Sequence, residues 1–381
     1  MKAVGIICEY SPFHNGHLYH IQKVKELYPN HKVILILSGN FTQRGLVSIL
    51  NKWDKTSIAL HYGVDLVIEL PFVFATQSAD IFAHGAIQLL NELKVEYLVF
   101  GSESNDIDSI KNLASIQLND NNYQKKVKEY LDNGENYPTA LSKALKDISG
   151  KTITLPNDLL GISYVKEIIR TNSNIIPVSI KRTNDFHSIQ SDNEFMSATG
   201  IRKLLKDGKD ICKYVPNETI NILKNHIYNQ DDYYKLLKYQ IILNENKLST
   251  YQTVDEGLDK RIINSIFKSN SYEELVNNIK TKRYTYNKIM RMLTHILIGF
   301  TKEEASKNQN ISYIRILGFN KNGQAYLNEI KKDIKYPIIK ACNEIEDDML
   351  KIELRSTKVY ANTVENNELI QKEYSKMPII K

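Results

Sequence analysis

One stretch near the start, Ile7-Cys8-Glu9-Tyr10-Ser11-Pro12-Phe13-His14-Asn15-Gly16-His17, combines side chains able to handle a phosphate. His14 and His17 are three apart, so on one helical turn both imidazoles can face a single phosphate chain. N–H donors placed there could stabilise charge developing on a transferring phosphate. Gly16 carries no Cβ and allows close approach of the backbone. Two histidines in a turn can equally be polar surface or metal ligands, and position must choose between these readings. Here the stretch follows an apolar, strand-like run, Lys2–Cys8, and opens a helix-like one. Beyond the carboxyl end of a parallel strand, free amides and the positive end of a helix dipole favour phosphate.

A second constellation is Phe195-Met196-Ser197-Ala198-Thr199-Gly200-Ile201-Arg202. The hydroxyls of Ser197 and Thr199 sit at a predicted helix start, where they can hold a phosphate, and Arg202 adds a fixed positive charge. The plain alternative is an ordinary helix with Ser197 as its N-cap.

Elements that would position these residues alternate along the first half. Strand-like runs are Lys2–Cys8, Lys32–Leu37, Leu66–Leu70 and Glu96–Phe100, with a fifth at Ile175–Ile180. Helix-like runs lie between them: His17–Tyr28, with Leu18, Ile21, Val24 and Leu27 on one face, then Asn51–Tyr62, Ser78–Leu93, Leu159–Arg170 and Ser197–Asp207. The stretch 183–194 reads as a polar loop. Such alternation implies an α/β fold with a parallel sheet covered on both faces. Strand signal fades after Pro216, and helical spacing takes over, as in Ile289, Leu293, Ile296, Leu297 and Phe300. The reading is therefore two domains, an α/β domain over 1–210 and a mainly α-helical one over 211–381.

Charge divides the chain in the same place. Residues 1–110 hold 8 Lys/Arg against 11 Asp/Glu, whereas residues 281–340 hold 12 against 4, within a total net charge of +6. A basic second half suits a polyanion, or simply solvated helices. There Lys282, Arg283, Tyr284, Tyr286, Arg291 and His295 mix cations with rings, as binding of single-stranded RNA requires. Tyr313 and Phe319 belong to the same segment. The alternative is a basic amphipathic helix packed on the front domain. Asp65 and Glu69, at the third strand, could orient substrate or Mg²⁺, or be solvated edge acids. Lys52-Trp53 could line a substrate path or the core. The three cysteines, Cys8, Cys212 and Cys342, form no metal spacing and suit a reducing cytoplasm; no apolar run is long enough to span a membrane. No protein-held metal site is expected.

The first constellation resembles the HxGH signature of the nucleotidylyltransferase superfamily, whose domain is Rossmann-like. Ser197–Arg202 resembles the superfamily's second signature, Ser-Ser/Ala-Thr-x-Ile-Arg. Further segments are similar to one family, the bacterial tRNA(Met) cytidine acetate ligases. They are Ser38–Gly45, Lys52-Trp53, Gly63–Pro71, Phe100–Glu103, Leu155–Asp158 and Lys282–Thr285. The resemblance implies a ligase that uses ATP, with Mg²⁺ as its companion, to join acetate to the wobble cytidine of elongator tRNA(Met). An acetyl-adenylate would form first, and the cytosine amino group would attack it to give N4-acetylcytidine. It places ATP on Ile7 to His20 (Leu18, Tyr19 and His20 included), Gly101, Asn157 and Arg182, with His14 and His17 catalytic. Ser11 stands where the family usually has Asn, and Gly200 where it usually has Ala. Two rival readings remain: an adenylyltransferase acting on a small metabolite, and a non-catalytic RNA-binding protein on the same scaffold.

Overall fold

The five strand-like runs of the first half pair into one sheet in the computed structural model: β1 (Ala3–Cys8), β2 (Lys32–Ser38), β3 (Leu66–Leu70), β4 (Tyr97–Ser102) and β5 (Ile176–Lys181). The structure describes residues 1–151, 155–182, 194–224, 227, 229–255, 257–362, 366–375 and 377–381. The polar loop expected over 183–194 lies outside them except for Glu194. β1 to β5 run parallel in the order β5-β4-β1-β2-β3. β2 and β3 are apolar almost throughout because both faces of a parallel sheet are covered by helices.

The covering helices of this half are α1 (Asn15–Leu27), α2 (Lys52–His61), α3 (Phe72–Ala75), α4 (Ala79–Glu92), α5 (Ile107–Asn119), α6 (Asn121–Asp132), α7 (Tyr137–Ser149), α8 (Pro156–Arg170) and α9 (Ala198–Lys206). Short polar residues start several of them. Asn51 accepts from the Trp53 and Asp54 amides at α2, and Ser197 from the Gly200 amide at α9, as its sequence suggests. The chain moves from β1 through β2 to β3 on one side, then returns to lay β4 on the other side of β1. At such a reversal a crevice opens beyond the carboxyl ends of the strands.

The second half is mainly helical, as expected: α10 (Asn217–Leu223), α11 (Tyr234–Leu243), α12 (Leu258–Ile266), α13 (Tyr272–Ile279), α14 (Tyr286–Ile298) and α15 (Lys302–Lys307), then α16 (Lys321–Ile330), α17 (Asp348–Asn362) and α18 (Asn367–Tyr374). The fading of strand signal after Pro216 needs correction. β6 (Ile314–Phe319) joins the same sheet antiparallel to β3, and β7 (Ile338–Ile339) and β8 (Ile379–Ile380) pair with β6. The sheet is thus mixed rather than wholly parallel, and it draws strands from both sides of residue 210. Arg315 hides β6 from a reading of hydrophobic runs, since a charge inside Ile-Arg-Ile-Leu looks solvent-facing.

Arg315 is in fact fully buried. Its Nη1 lies 3.0 Å from Glu69 and 2.5 Å from Glu373. Lys52, equally buried, lies 2.6 Å from Glu69, 2.6 Å from Glu373 and 3.2 Å from Glu353. Both cations also sit over the Trp53 ring, at 5.8 Å for Lys52 and 5.5 Å for Arg315. This network ties α2 and β3 to β6, α17 and α18. It corrects the expectations for Glu69, which is neither a substrate ligand nor a solvated edge acid, and it selects the core reading of Lys52-Trp53 over the substrate path. Asp65 is likewise structural. Its carboxylate accepts from the Val33 amide at 2.8 Å and from the Asn320 side chain at 2.9 Å. Tyr313 and Phe319 are buried as well, so they offer no ring to a ligand on the surface.

Candidate active site

After β1 the chain turns through Tyr10, whose φ is +50°, and His14 becomes the N-cap of α1. His14 Nδ1 accepts from the Gly16 amide at 3.0 Å, and the His14 amide donates to His17 Nδ1 at 3.2 Å. Each ring uses Nδ1 as an acceptor, so the proton of each neutral imidazole resides on Nε2. The rings stack with centroids 3.7 Å apart and 25° between planes. Two Nε2–H donors are thereby held side by side at the positive end of α1. Gly16 serves this arrangement directly. A Cβ there would stand 2.9 Å from His14 Cε1, so the glycine makes room for the ring.

Burial, reinforced by the Arg182 and Arg202 charges, pushes the His14 pKa down to about 3. Burial and then His14 hold His17 well below its ordinary value. Burial also lowers His20 to about 4, although its Nε2 sits 3.2 Å from the Val99 carbonyl. The three rings are neutral donors near pH 7. They also predict an acid response. Folding lowers these pKa values, so below pH 6.5 the unfolded chain takes up more protons than the folded one. Their contribution to stability is complete above pH 6.5 and declines as the pH falls toward 4 and 3. Melting curves at pH 7.5, 6 and 5 should show this decline, and His20→Gln should make it shallower. An equal decline in the variant contradicts the assignment for His20.

Two arginines flank the rings from other elements. Arg202 of α9 donates to the Ser11 carbonyl at 2.6 Å and to Thr199 Oγ1 at 3.1 Å. Burial lowers its pKa to about 10. Arg182, just past β5, donates to Asn157 Oδ1 at 3.2 Å. Asn157 is itself held by Glu103, which accepts from its side-chain nitrogen at 2.5 Å and its amide at 3.1 Å. Asp158 returns the contact, accepting from the Glu103 amide at 3.0 Å and the Ser102 hydroxyl at 2.5 Å. The end of β4 and the start of α8 are thus locked together, which aims Asn157 and Arg182.

A cleft of about 1220 Å³ opens over these groups. That exceeds the roughly 300–1,000 Å³ usual for one small ligand. Of residues 7–20, all face it except Pro12, Phe13, Asn15 and Leu18. Phe13 stacks on Tyr62 in the core, with centroids 5.4 Å apart, and Leu18 packs against that core. Asn15 donates to the Glu194 and Lys213 carbonyls at 2.8 and 3.0 Å, fastening the segment that carries Ser197 and Arg202. Gly101, Asn157, Arg182, Ser197, Thr199 and Arg202 all line the cleft.

So do Arg283, Tyr284 and Arg291 from the second half, while Lys282 does not. Arg283 and Lys288 lie over the Tyr284 ring at 5.9 and 4.8 Å. Gly45 explains how Arg291 arrives. At φ +80° it packs so tightly that a Cβ would meet the Arg291 amide nitrogen at 2.5 Å, and Thr294 donates to the Gly45 carbonyl at 2.6 Å. Burial lowers the Arg291 pKa to about 10, and the side chain makes no hydrogen bond or ion pair among the described residues. His295 is a correction: it is fully buried between the Thr76 and Gln252 carbonyls, at 2.7 and 3.1 Å, and offers nothing to RNA. Sequence reasoning missed Gln43 and Arg44, which line the cleft beside Glu9. The Gln43 amide donates to the Glu9 carboxylate at 2.5 Å. Burial raises the pKa of that carboxyl, which faces Arg44, Lys55 and Arg202. Their segment, Ser38–Gly45, was legible as family-like but carried no sign of contact with Glu9. Among the described residues no helix is long and apolar enough to cross a membrane, and no three His, Cys, Asp or Glu side chains are grouped to hold a metal ion.

Known proteins resemble this chain over its whole length. A family model described as HIGH Nucleotidyl Transferase matches residues 1–376. The tRNA(Met) cytidine acetate ligase of Caldicellulosiruptor saccharolyticus is 40% identical, with 100% of this chain and 98% of that protein covered. The protein of the same name from Bacillus subtilis is 37% identical over 100% of this chain and 97% of its own length. Among solved structures, Thermotoga maritima TmcAL bound with alpha-thio ATP superposes with a TM-score of 0.90 at 30% identity, covering all of both chains. Its apo form gives 0.92 at 31% identity, covering 100% of this chain and 99% of its own.

Proposed function

We propose, for a chain that belongs to the HIGH nucleotidyl transferase family and within it to the tRNA(Met) cytidine acetate ligases, that it acetylates the wobble cytidine of elongator tRNA(Met) from acetate and ATP. One observation carries the reading. Two neutral imidazoles present Nε2–H donors at a helix N-terminus between two arginines, in a cleft that continues to the cations of α14. ATP would lie along the β1–α1 turn with its phosphates toward His14, His17, Arg182 and Arg202. A carboxylate oxygen of acetate attacks the α-phosphorus, the bond to the β-phosphate oxygen breaks, and pyrophosphate leaves with that electron pair. His14 and His17 donate hydrogen bonds to oxygens whose charge grows in the transition state.

In the second step the cytosine N4 attacks the acetyl carbonyl carbon. The acyl–oxygen bond breaks, AMP departs, and N4 loses one proton. To reach the mixed anhydride the cytosine must leave its stack. Residues 1–210 would carry the adenylation, and residues 211–381 would hold the tRNA through Lys282, Arg283, Tyr284 and Arg291. Mg²⁺ has no cage of acidic side chains among the described residues, and such an ion would come held by the ATP phosphates. The place of action would be the cytoplasm, where tRNA and ATP are available.

Labelled acetate, ATP and total tRNA, incubated with the protein, should put label into tRNA. Acetyl-coenzyme A should not replace acetate and ATP, because the proposed first step joins free acetate to the α-phosphorus of ATP. Equal product from acetyl-coenzyme A without ATP overturns the reading.

A further inference from the structure

Four apolar side chains that stand open to solvent also line the cleft. Ile81 of α4, Leu131 of α6, Tyr137 of α7 and Leu159 of α8 keep 37, 38, 54 and 37% of their surface exposed. Four separate helices each bring one such residue to the same cleft, and apolar surface gathered in this way marks a binding face. Tyr137 is the foremost of them. It is the first residue of α7, followed by Pro138, and the Asn136 cap accepts from the Thr139 amide at 3.1 Å and hydroxyl at 2.9 Å. The ring is therefore presented from a rigid helix start. Its hydroxyl makes no hydrogen bond among the described residues.

Cations adjoin this apolar group. Lys143 first, with Lys282 adding to it, holds the Glu135 carboxyl below its ordinary pKa, which brings the segment before Tyr137 up to the start of the basic run. Arg283 and Arg291 line the same cleft, and Lys288 beside them is paired with Asp255. Apolar and aromatic surface next to guanidinium groups that pair with no carboxylate among the described residues matches one ligand chemistry, an unpaired nucleotide, with a stackable base and a phosphodiester anion. An apolar peptide would have no use for the arginines.

We propose that Tyr137, backed by Leu131, Leu159 and Ile81, is a stacking platform for an unpaired nucleobase next to the acetylated cytosine, with Arg283 and Arg291 holding the phosphodiester between them. The inference rests on the proposed function, because the base belongs to the RNA substrate. It gives the first half of the chain a share in RNA binding that the basic second half alone does not account for. Extrusion of the cytosine breaks its stacking on a neighbour, and the platform supplies that neighbour with a new partner.

The test uses the full chain and an RNA hairpin with 2-aminopurine beside a loop cytidine. Binding to the wild-type protein should quench the 2-aminopurine, and Tyr137→Phe should quench it equally. Tyr137→Ala should abolish the quench and raise the KM for tRNA by about 5- to 100-fold, the range expected from loss of one base–aromatic stack. The position is half exposed, so the substitution leaves no core cavity. A quench and a tRNA KM unchanged in Tyr137→Ala overturn the platform, while acetylation by the wild-type protein still upholds the function. Failure of the wild-type protein to acetylate any tRNA removes both.

Discussion

His17→Ala is expected to lower acetate-dependent release of pyrophosphate from ATP by about 100- to 1,000-fold, the usual consequence of losing one transition-state donor. The loss should fall on kcat, with little change in the KM for ATP, since the Nε2–H bond strengthens only as charge grows on the phosphate. His17 has a second duty, because its Nδ1 accepts from the His14 amide. Its removal leaves that amide without its cap. His17→Asn separates the two roles: a short amide can restore the cap but cannot place a donor where Nε2 stood. Melting temperature should therefore recover in the Asn variant while the rate does not. Near-normal pyrophosphate release by either variant would falsify the placement of His17 at the α-phosphate.

Lys52→Met should destabilise the fold by about 3–5 kcal/mol, since it strips the partner from buried charges. Glu69 and Glu373 would then keep Arg315 alone, and Glu353 would lose the cation it faces. Burial opposes the Lys52 charge, but Glu373, Glu69 and Glu353 together raise its pKa, so the ammonium is present wherever the protein is folded. Glu353→Gln is the contrasting variant. Burial first, and then Glu69, raise the Glu353 pKa to about 7, so at pH 7 about half of it is the neutral acid, the form that an amide can imitate. A carboxyl whose folded pKa is raised stabilises fully below its unfolded value and loses that contribution as the pH rises through about 7. Wild-type melting temperature should thus slope downward from this group from about pH 4.5 to 7 and level off above that. Glu353→Gln should remove that slope while costing far less than Lys52→Met. Denaturation of the three proteins at pH 6, 7 and 8 measures all of this. A Lys52→Met protein as stable as the wild type would show that the network is dispensable.

Much of this molecule is written in local pattern. The alternation of Lys2–Cys8 with the helix from Asn15, and of Lys32–Leu37 with the helix from Lys52, depends on residues within one or two turns of each other. So does the grouping of His14 and His17, because a strand end, a glycine and a helix start are all adjacent in the chain. Ser197 announced its cap for the same reason. β6 did not announce itself. Arg315 reads as a surface charge until Glu69 and Glu373, far away in the chain, are seen to neutralise it.

Local spacing by itself determined where His14 and His17 stand and which elements hold them, since both are settled by hydrogen bonds and periodicities a few residues long. Tertiary structure decided which groups meet those imidazoles. Packing of α14 on Gly45 brings Arg291 into the cleft with His14, and the Glu103–Asp158 exchange aims Arg182. Four helices deliver Tyr137 and its neighbours to the same opening. Most of those meetings join residues on separate elements, Arg291 to Gly45 and Glu103 to Asp158 lying more than fifty positions apart. Nothing in either segment states its partner; only closure of the sheet and burial of the shared core bring them together.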